Sequence, residues 1–147
     1  MAGIRTVNVL LDTNVISELS RPSPDQGVIA WLDGTPEDTL HLSVATLAEL
    51  HHGVEKLPQG TKRSRLHAWL AEALPARFEG RILPVDIAVA QRWGILVAKS
   101  EQLGRPMESM DALLAATVVV YDLTLVTRNT RHFSILGKSI FNPWNTK

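Results

Sequence analysis

With 147 residues, of which 45% are hydrophobic and 20% charged, the chain has the size and composition of one folded domain, which excludes a predominantly disordered protein. Fifteen basic and fifteen acidic residues cancel, so no global positive field marks a nucleic-acid binder, although a local basic patch stays open. The lack of cysteine excludes disulfides, thiolate metal sites and cysteine nucleophiles, and agrees with a reducing cytoplasm.

Residues 7–11 form an apolar run broken only by Asn8 and stopped by Asp12, which reads as a buried strand and is too short for a signal-peptide core. The longest apolar stretch elsewhere, 112–121, is about half of what a bilayer span needs, so a soluble, cytoplasmic protein with no membrane partner is expected. "RPSPDQ" (21–26) reads as a turn, and Val28, Trp31 and Leu32 then mark one face of a short helix. "TLHLS" (39–43) alternates like a strand. After it, Val44, Leu47, Leu50 and Val54 form a helical stripe that "PQG" at 58–60 ends.

A helix over 62–78 turns Leu66, Trp69, Leu70 and Leu74 inward, with Pro75 expected to bend it or end it early. "GRILPVD" (80–86) holds a brief strand, and Asp86 is placed to cap a helix running to about Leu103 through Val89, Trp93, Leu96 and Val97. "GRP" (104–106) closes that helix. Residues 109–122 read as a largely buried helix, 123–127 as a buried strand and 139–141 as a final edge strand. Strands alternating with helices of ten or more residues predict a parallel sheet covered on both faces, whose ligands sit beyond the carboxyl ends of the strands. Asp12 and the segment 127–129 fall at that edge.

Three acids occupy comparable places: Asp12 just after a strand, Glu49 in the first turns of a helix, and Asp111 in the first turn of another. Each has a purely structural reading. Asp12 can close an Asx turn or cap the helix that "VISEL" would form; Thr46 and Glu49 match a capping box; Asp111 suits the positive end of its helix.

Taken together with their surroundings, these residues carry a resemblance. "LLDTNVISEL", "LSVATLAEL", "MDALLAATVVVYDLTLVTRNTRHF" and the closing "FNPW" resemble, over nearly the whole chain, the PIN-domain ribonucleases, and among them the VapC-type toxins of bacterial toxin–antitoxin pairs. The nearest pattern is the FitB or plasmid-stability StbB type. The resemblance implies one PIN domain over 1–147, a three-layer α/β/α fold around a short central parallel sheet of about five strands. It further implies a type II toxin that cleaves RNA as a Mg²⁺-dependent endoribonuclease and thereby inhibits translation, leaving 5′-phosphate and 3′-hydroxyl ends.

On this resemblance Asp12, Glu49 and Asp111 are the catalytic acids and hold the metal. Two carboxylates about 4 Å apart repel by about 4 kcal/mol at an effective dielectric near 20, so a cluster of three needs a hard cation. Oxygen-only ligation suits Mg²⁺, with Mn²⁺ as a substitute. Thr13 and Asn14 are expected to orient Asp12 or touch phosphate, Thr127 to support the metal shell, and Arg128 and Arg131 to grip RNA phosphate.

The chain departs from the family where many members carry a fourth acid: it has Asn129 and His132 there, so one metal is favoured over two. His51 and His52 are read as exposed or core-edge residues, since adjacent helical side chains point about 100° apart. The resemblance also implies a homodimer and a cognate antitoxin, the two together binding operator DNA. The missing acid admits a rival, a weakly or non-catalytic PIN-fold module that works with its antitoxin as an autorepressor. A phosphotransfer protein of receiver or haloacid-dehalogenase type is disfavoured by Asn14 and Arg128 at positions where those families need an acid and a lysine.

Overall fold

A computed structural model describes residues 7–145. Five strands, all parallel, make one sheet in the order β3-β2-β1-β4-β5: β1 (Val9–Leu11), β2 (Leu40–Ser43), β3 (Ile82–Leu83), β4 (Thr124–Val126) and β5 (Ile140–Phe141). The central pairing aligns Leu10 with Leu125 and Leu11 with Val126. Because side chains alternate along a strand, each register position feeds one of two cores.

Val9, Leu11, Leu40, Leu42 and Val126 enter the first core, covered by α1 (Thr13–Leu19), α2 (Gln26–Asp33) and α3 (Val44–Glu55). The same core is closed by α4 (Thr61–Ala68), a π-helical turn (Trp69–Ala73) and α5 (Leu74–Arg77), which bring in Leu70 and Leu74. Leu10 and Leu125 point the other way, into a second core under α6 (Ile87–Gln102), α7 (Ser109–Tyr121) and the 3₁₀ segment Thr130–Leu136 with its buried Phe133. The result is the expected three-layer α/β/α architecture with a short five-stranded parallel sheet.

Several local expectations meet a different outcome. Val7 stands exposed, and β1 begins at Val9. Val44 is 40% exposed because it opens α3 directly after the cap, where its side chain faces solvent; Leu50 and Val54 carry the buried stripe, with Leu47 only partly buried. Pro75 neither ends nor breaks its helix. The π turn just before it, closed by the Leu74 N–H on the Trp69 carbonyl, absorbs the missing donor. Asp86 does cap α6, accepting from the Val89 N–H at 2.9 Å. Among the described residues no helix is long and apolar enough to cross a membrane.

Candidate active site

Asp12 ends β1 and caps α1, its backbone extended and its Oδ1 accepting from the Thr13 N–H at 2.6 Å. The residue is only 5% exposed. Its other oxygen, Oδ2, accepts from the Thr127 hydroxyl at 2.8 Å, across from the end of β4. Thr127 is itself fully buried and acts as a hub: its Oγ1 accepts from the Asn129 backbone N–H at 3.0 Å and, at a longer 3.4 Å, from Asn14 Nδ2. Asn14 Oδ1 in turn accepts weakly from the Arg128 backbone N–H at 3.4 Å. The cap reading of Asp12 and its placement at the carboxyl edge of the sheet are therefore both realised by one side chain.

Glu49 reaches the same edge from α3. Its Oε1 accepts from the Thr13 hydroxyl at 2.6 Å, so Thr13 bonds Asp12 through its N–H and Glu49 through its side chain. The capping-box pairing of Thr46 with Glu49 does not form: Ser43 is the N-cap of α3, accepting from the Ala45 N–H at 3.0 Å. Thr46 lies inside the helix, buried and with its hydroxyl unpartnered among the described residues.

Asp111 sits in the first turn of α7, and His132 Nδ1 of the 3₁₀ segment stands 3.7 Å from its Oδ2. Burial and then the charge of Asp12 push the Asp111 carboxyl up to about 6, with Glu108 and Glu49 adding to the rise and His132 opposing it. Asp12 is also raised, by burial first; the bonds from Thr127 and Thr13 hold it down, and Glu49 adds repulsion. Asp111 thus feels the charge of Asp12 and, more weakly, of Glu49, and Asp12 feels that of Glu49. The three acids do not close tightly on one point: among the described residues no three His, Asp or Glu side chains are grouped closely enough to chelate an ion as they stand.

Of the remaining candidates, Asn129 contributes its backbone N–H to Thr127 while the residue itself is exposed. Arg128 lays its guanidinium over the Trp144 ring at 5.5 Å, a cation–π contact. Arg131 is exposed and lines a cleft with Asp111 and His132. His51 and His52 are exposed on α3, away from any core. Two residues of the edge escape sequence reading. Glu108 lies in the cleft and repels Asp111, and Arg105 lines the same cleft; position three before Asp111 was the available signal for the first, and "GRP" carried only a helix-ending meaning for the second.

A parallel five-stranded α/β/α fold with one buried and two half-buried acids along the carboxyl edge of its central strands is the architecture of a PIN domain. The PIN-domain family model matches residues 9–138, and the chain belongs to that family. Within it the chain is closely related to the VapC- and FitB-type toxins of type II toxin–antitoxin systems. It is 40% identical to toxin FitB of Neisseria gonorrhoeae, over 93% of this chain and 99% of that one. It is 39% identical to VapC ribonuclease Y4jK of Sinorhizobium fredii, over 92% of this chain and 97% of that one. The solved structure of FitAB bound to an IR36 DNA fragment superposes with a TM-score of 0.87 at 37% identity, covering 95% of this chain and 97% of that chain.

Proposed function

We propose that the chain, folded as one PIN domain, is the toxin of a type II pair and hydrolyses RNA phosphodiester bonds as a Mg²⁺-dependent endoribonuclease, so that free toxin inhibits translation. The observation that carries this reading is the placing of three acids at one strand edge: Thr13 bonds both Asp12 and Glu49, and Asp111 lies near enough to feel the charge of both. The donor set fits a small hard cation: the three acids offer only oxygen ligands and together carry excess negative charge. Asp12, Glu49 and Asp111 would hold the ion. Once bound, Mg²⁺ or Mn²⁺ supplies Lewis-acid polarisation of a phosphoryl oxygen and an acidified water.

The protein's own residues do the positioning. Thr127 fixes the free rotation of Asp12 by bonding one oxygen while the Thr13 N–H bonds the other, leaving the second lone pairs of both oxygens available. The Thr13 hydroxyl does the same for Glu49. Asp111, raised to about 6 in the metal-free protein, has the most to gain from a bound cation, whose charge would favour its carboxylate form. His132 lacks the charge of a fourth acid, which supports one metal over two.

Names of relatives support the partners as well as the chemistry. VapC ribonucleases and a tRNA(fMet)-specific endonuclease are among them, and related toxins have been solved as toxin–antitoxin complexes on DNA. The reading therefore includes a cognate antitoxin, a homodimeric toxin and a cytoplasmic site of action. The rival, a binding module that serves mainly in an autorepressor complex, draws on the loose grouping of the acids and on His132. Antitoxin-free protein incubated with total RNA in Mg²⁺ separates the two. The nuclease reading requires cleavage that is abolished by EDTA and reduced at least a hundredfold in Asp12→Asn; equal 5′-end maps for both proteins would defeat it.

A further inference from the structure

Beside Asp111 the molecule opens a cleft of about 460 Å³ between the end of α6, the loop 104–108 and the 3₁₀ segment. That volume lies within the range of small-ligand sites, about 300–1,000 Å³. Its lining includes four apolar side chains, the half-buried Met107 and Ile135 and the more exposed Leu103 and Pro106, and two arginines, Arg105 and Arg131. Neither makes an ion pair among the described residues, although Glu108 and Asp111 line the same cleft; Arg63, Arg77 and Arg81 elsewhere each find a carboxylate. Both guanidinium groups are thus accessible to an anion that arrives from outside.

The wall bearing Arg105 is built to stay in place. Gly104 takes φ +72°, which lets the chain reverse after α6, and the Arg105 N–H then bonds the Ser100 carbonyl at 2.9 Å. The buried Ser100 hydroxyl accepts from the Met107 N–H at 3.3 Å, pinning the far side of the same loop. On the other wall Phe133 is fully buried, which anchors the segment that carries Arg131 and His132. Apolar side chains beside arginines carried on a pinned backbone match one chemical class well: an unpaired nucleotide, its base laid on Met107 and Ile135 and its phosphates on the arginines.

We propose that this cleft is a nucleotide subsite, which takes one unstacked base of a single-stranded RNA and grips the adjoining phosphates with Arg105 and Arg131, setting the strand in register over the acidic edge. The inference rests on the nuclease reading for its purpose, yet binding can be tested without cleavage. Full-length antitoxin-free protein in EDTA is titrated with a fluorescent single-stranded ten-nucleotide RNA, and with the same backbone made abasic at its centre, across a salt series. Arg105→Ala and Arg131→Ala should each weaken binding about fivefold to tenfold and flatten the salt slope by about 0.7, the value for one phosphate on a single strand. Lys138→Ala, which precedes β5 at the opposite end of the sheet, should stay within twofold.

Wild type should prefer the intact RNA to the abasic one at least fivefold, and Met107→Asp should remove that preference. Unchanged affinity and slope in both arginine variants would overturn the proposal, and so would loss confined to antitoxin binding, which would make the cleft a protein-docking site. Equal binding of intact and abasic RNA would overturn the base pocket. The two readings fail differently: Mg²⁺-dependent cleavage that persists with unchanged kcat/KM in the arginine variants sinks the subsite alone, whereas absence of cleavage in wild type sinks the nuclease reading and leaves the binding result standing.

Discussion

Thr127 is the residue whose removal most directly tests how the acidic edge is held. It is fully buried, it donates to Asp12 at 2.8 Å, and it accepts from the Asn129 N–H at 3.0 Å. Thr127→Val keeps the shape and deletes the hydroxyl. A hydrogen bond to a charged group contributes about 1.5–3 kcal/mol, and two donors lose their acceptor as well, so metal-free protein should lose about 2 kcal/mol at pH 7.5 and about 4–8 °C in Tm. The loss has a pH signature. The Thr127 bond holds the Asp12 carboxyl down, so its removal raises that pKa further, and the variant's deficit is full where Asp12 is ionised and shrinks as falling pH protonates it. Urea denaturation in EDTA at pH 7.5 and 5 measures both effects, with Thr127→Ser expected to recover most of the stability. If valine and serine variants are equally stable, or their deficits do not change with pH, the hydroxyl is not what positions Asp12.

Asp111 has a folded-state pKa of about 6 against an ordinary 3.8, so the folded protein binds more protons than the unfolded chain between those values and loses stability as pH rises through them. Asp111→Asn should therefore stabilise metal-free protein above pH 6 by about 1–2 kcal/mol after solvent screening, and by progressively less toward pH 4; carboxyl NMR of the wild type should show the titration directly. Mg²⁺ at a hundred times its Kd should raise stability at pH 7.5 by about 2.7 kcal/mol in wild type and by much less in Asp12→Asn, read as a shift in Tm. Gly104→Ala should cost about 1 kcal/mol in urea denaturation, because φ +72° penalises a Cβ that otherwise meets open space.

Much of this architecture is legible in the residues because parallel strands buried on both faces read as short apolar runs, and Val9–Leu11 and Thr124–Val126 are such runs. Asp86 as a cap needed only local chemistry, and it holds. What local chemistry could not supply was pairing across the chain. The bond from Thr127 to Asp12 spans 115 positions and that from Thr13 to Glu49 spans 36, and no spacing rule connects them. The same limit hid the meeting of Arg105 and Arg131 in one cleft, whereas Ser43 as the cap of α3 and the π turn before Pro75 are local features that competing local signals, the Thr46–Glu49 spacing and the proline itself, concealed. The family resemblance named the three acids; the hydrogen bonds that hold two of them, and the repulsion that perturbs them, come from the packed sheet.

The strand order carries a timing consequence. β4 enters beside β1 only after more than 120 residues have been made, and until then β1 is an open sheet edge and Asp12 lacks its Thr127 donor. A chain still emerging from the ribosome therefore carries Asp12 and Glu49 but no finished centre, since folding of the domain must wait for its final strands. The acidic edge is thus completed only when β4 docks beside β1, and not while β1 and β2 stand alone.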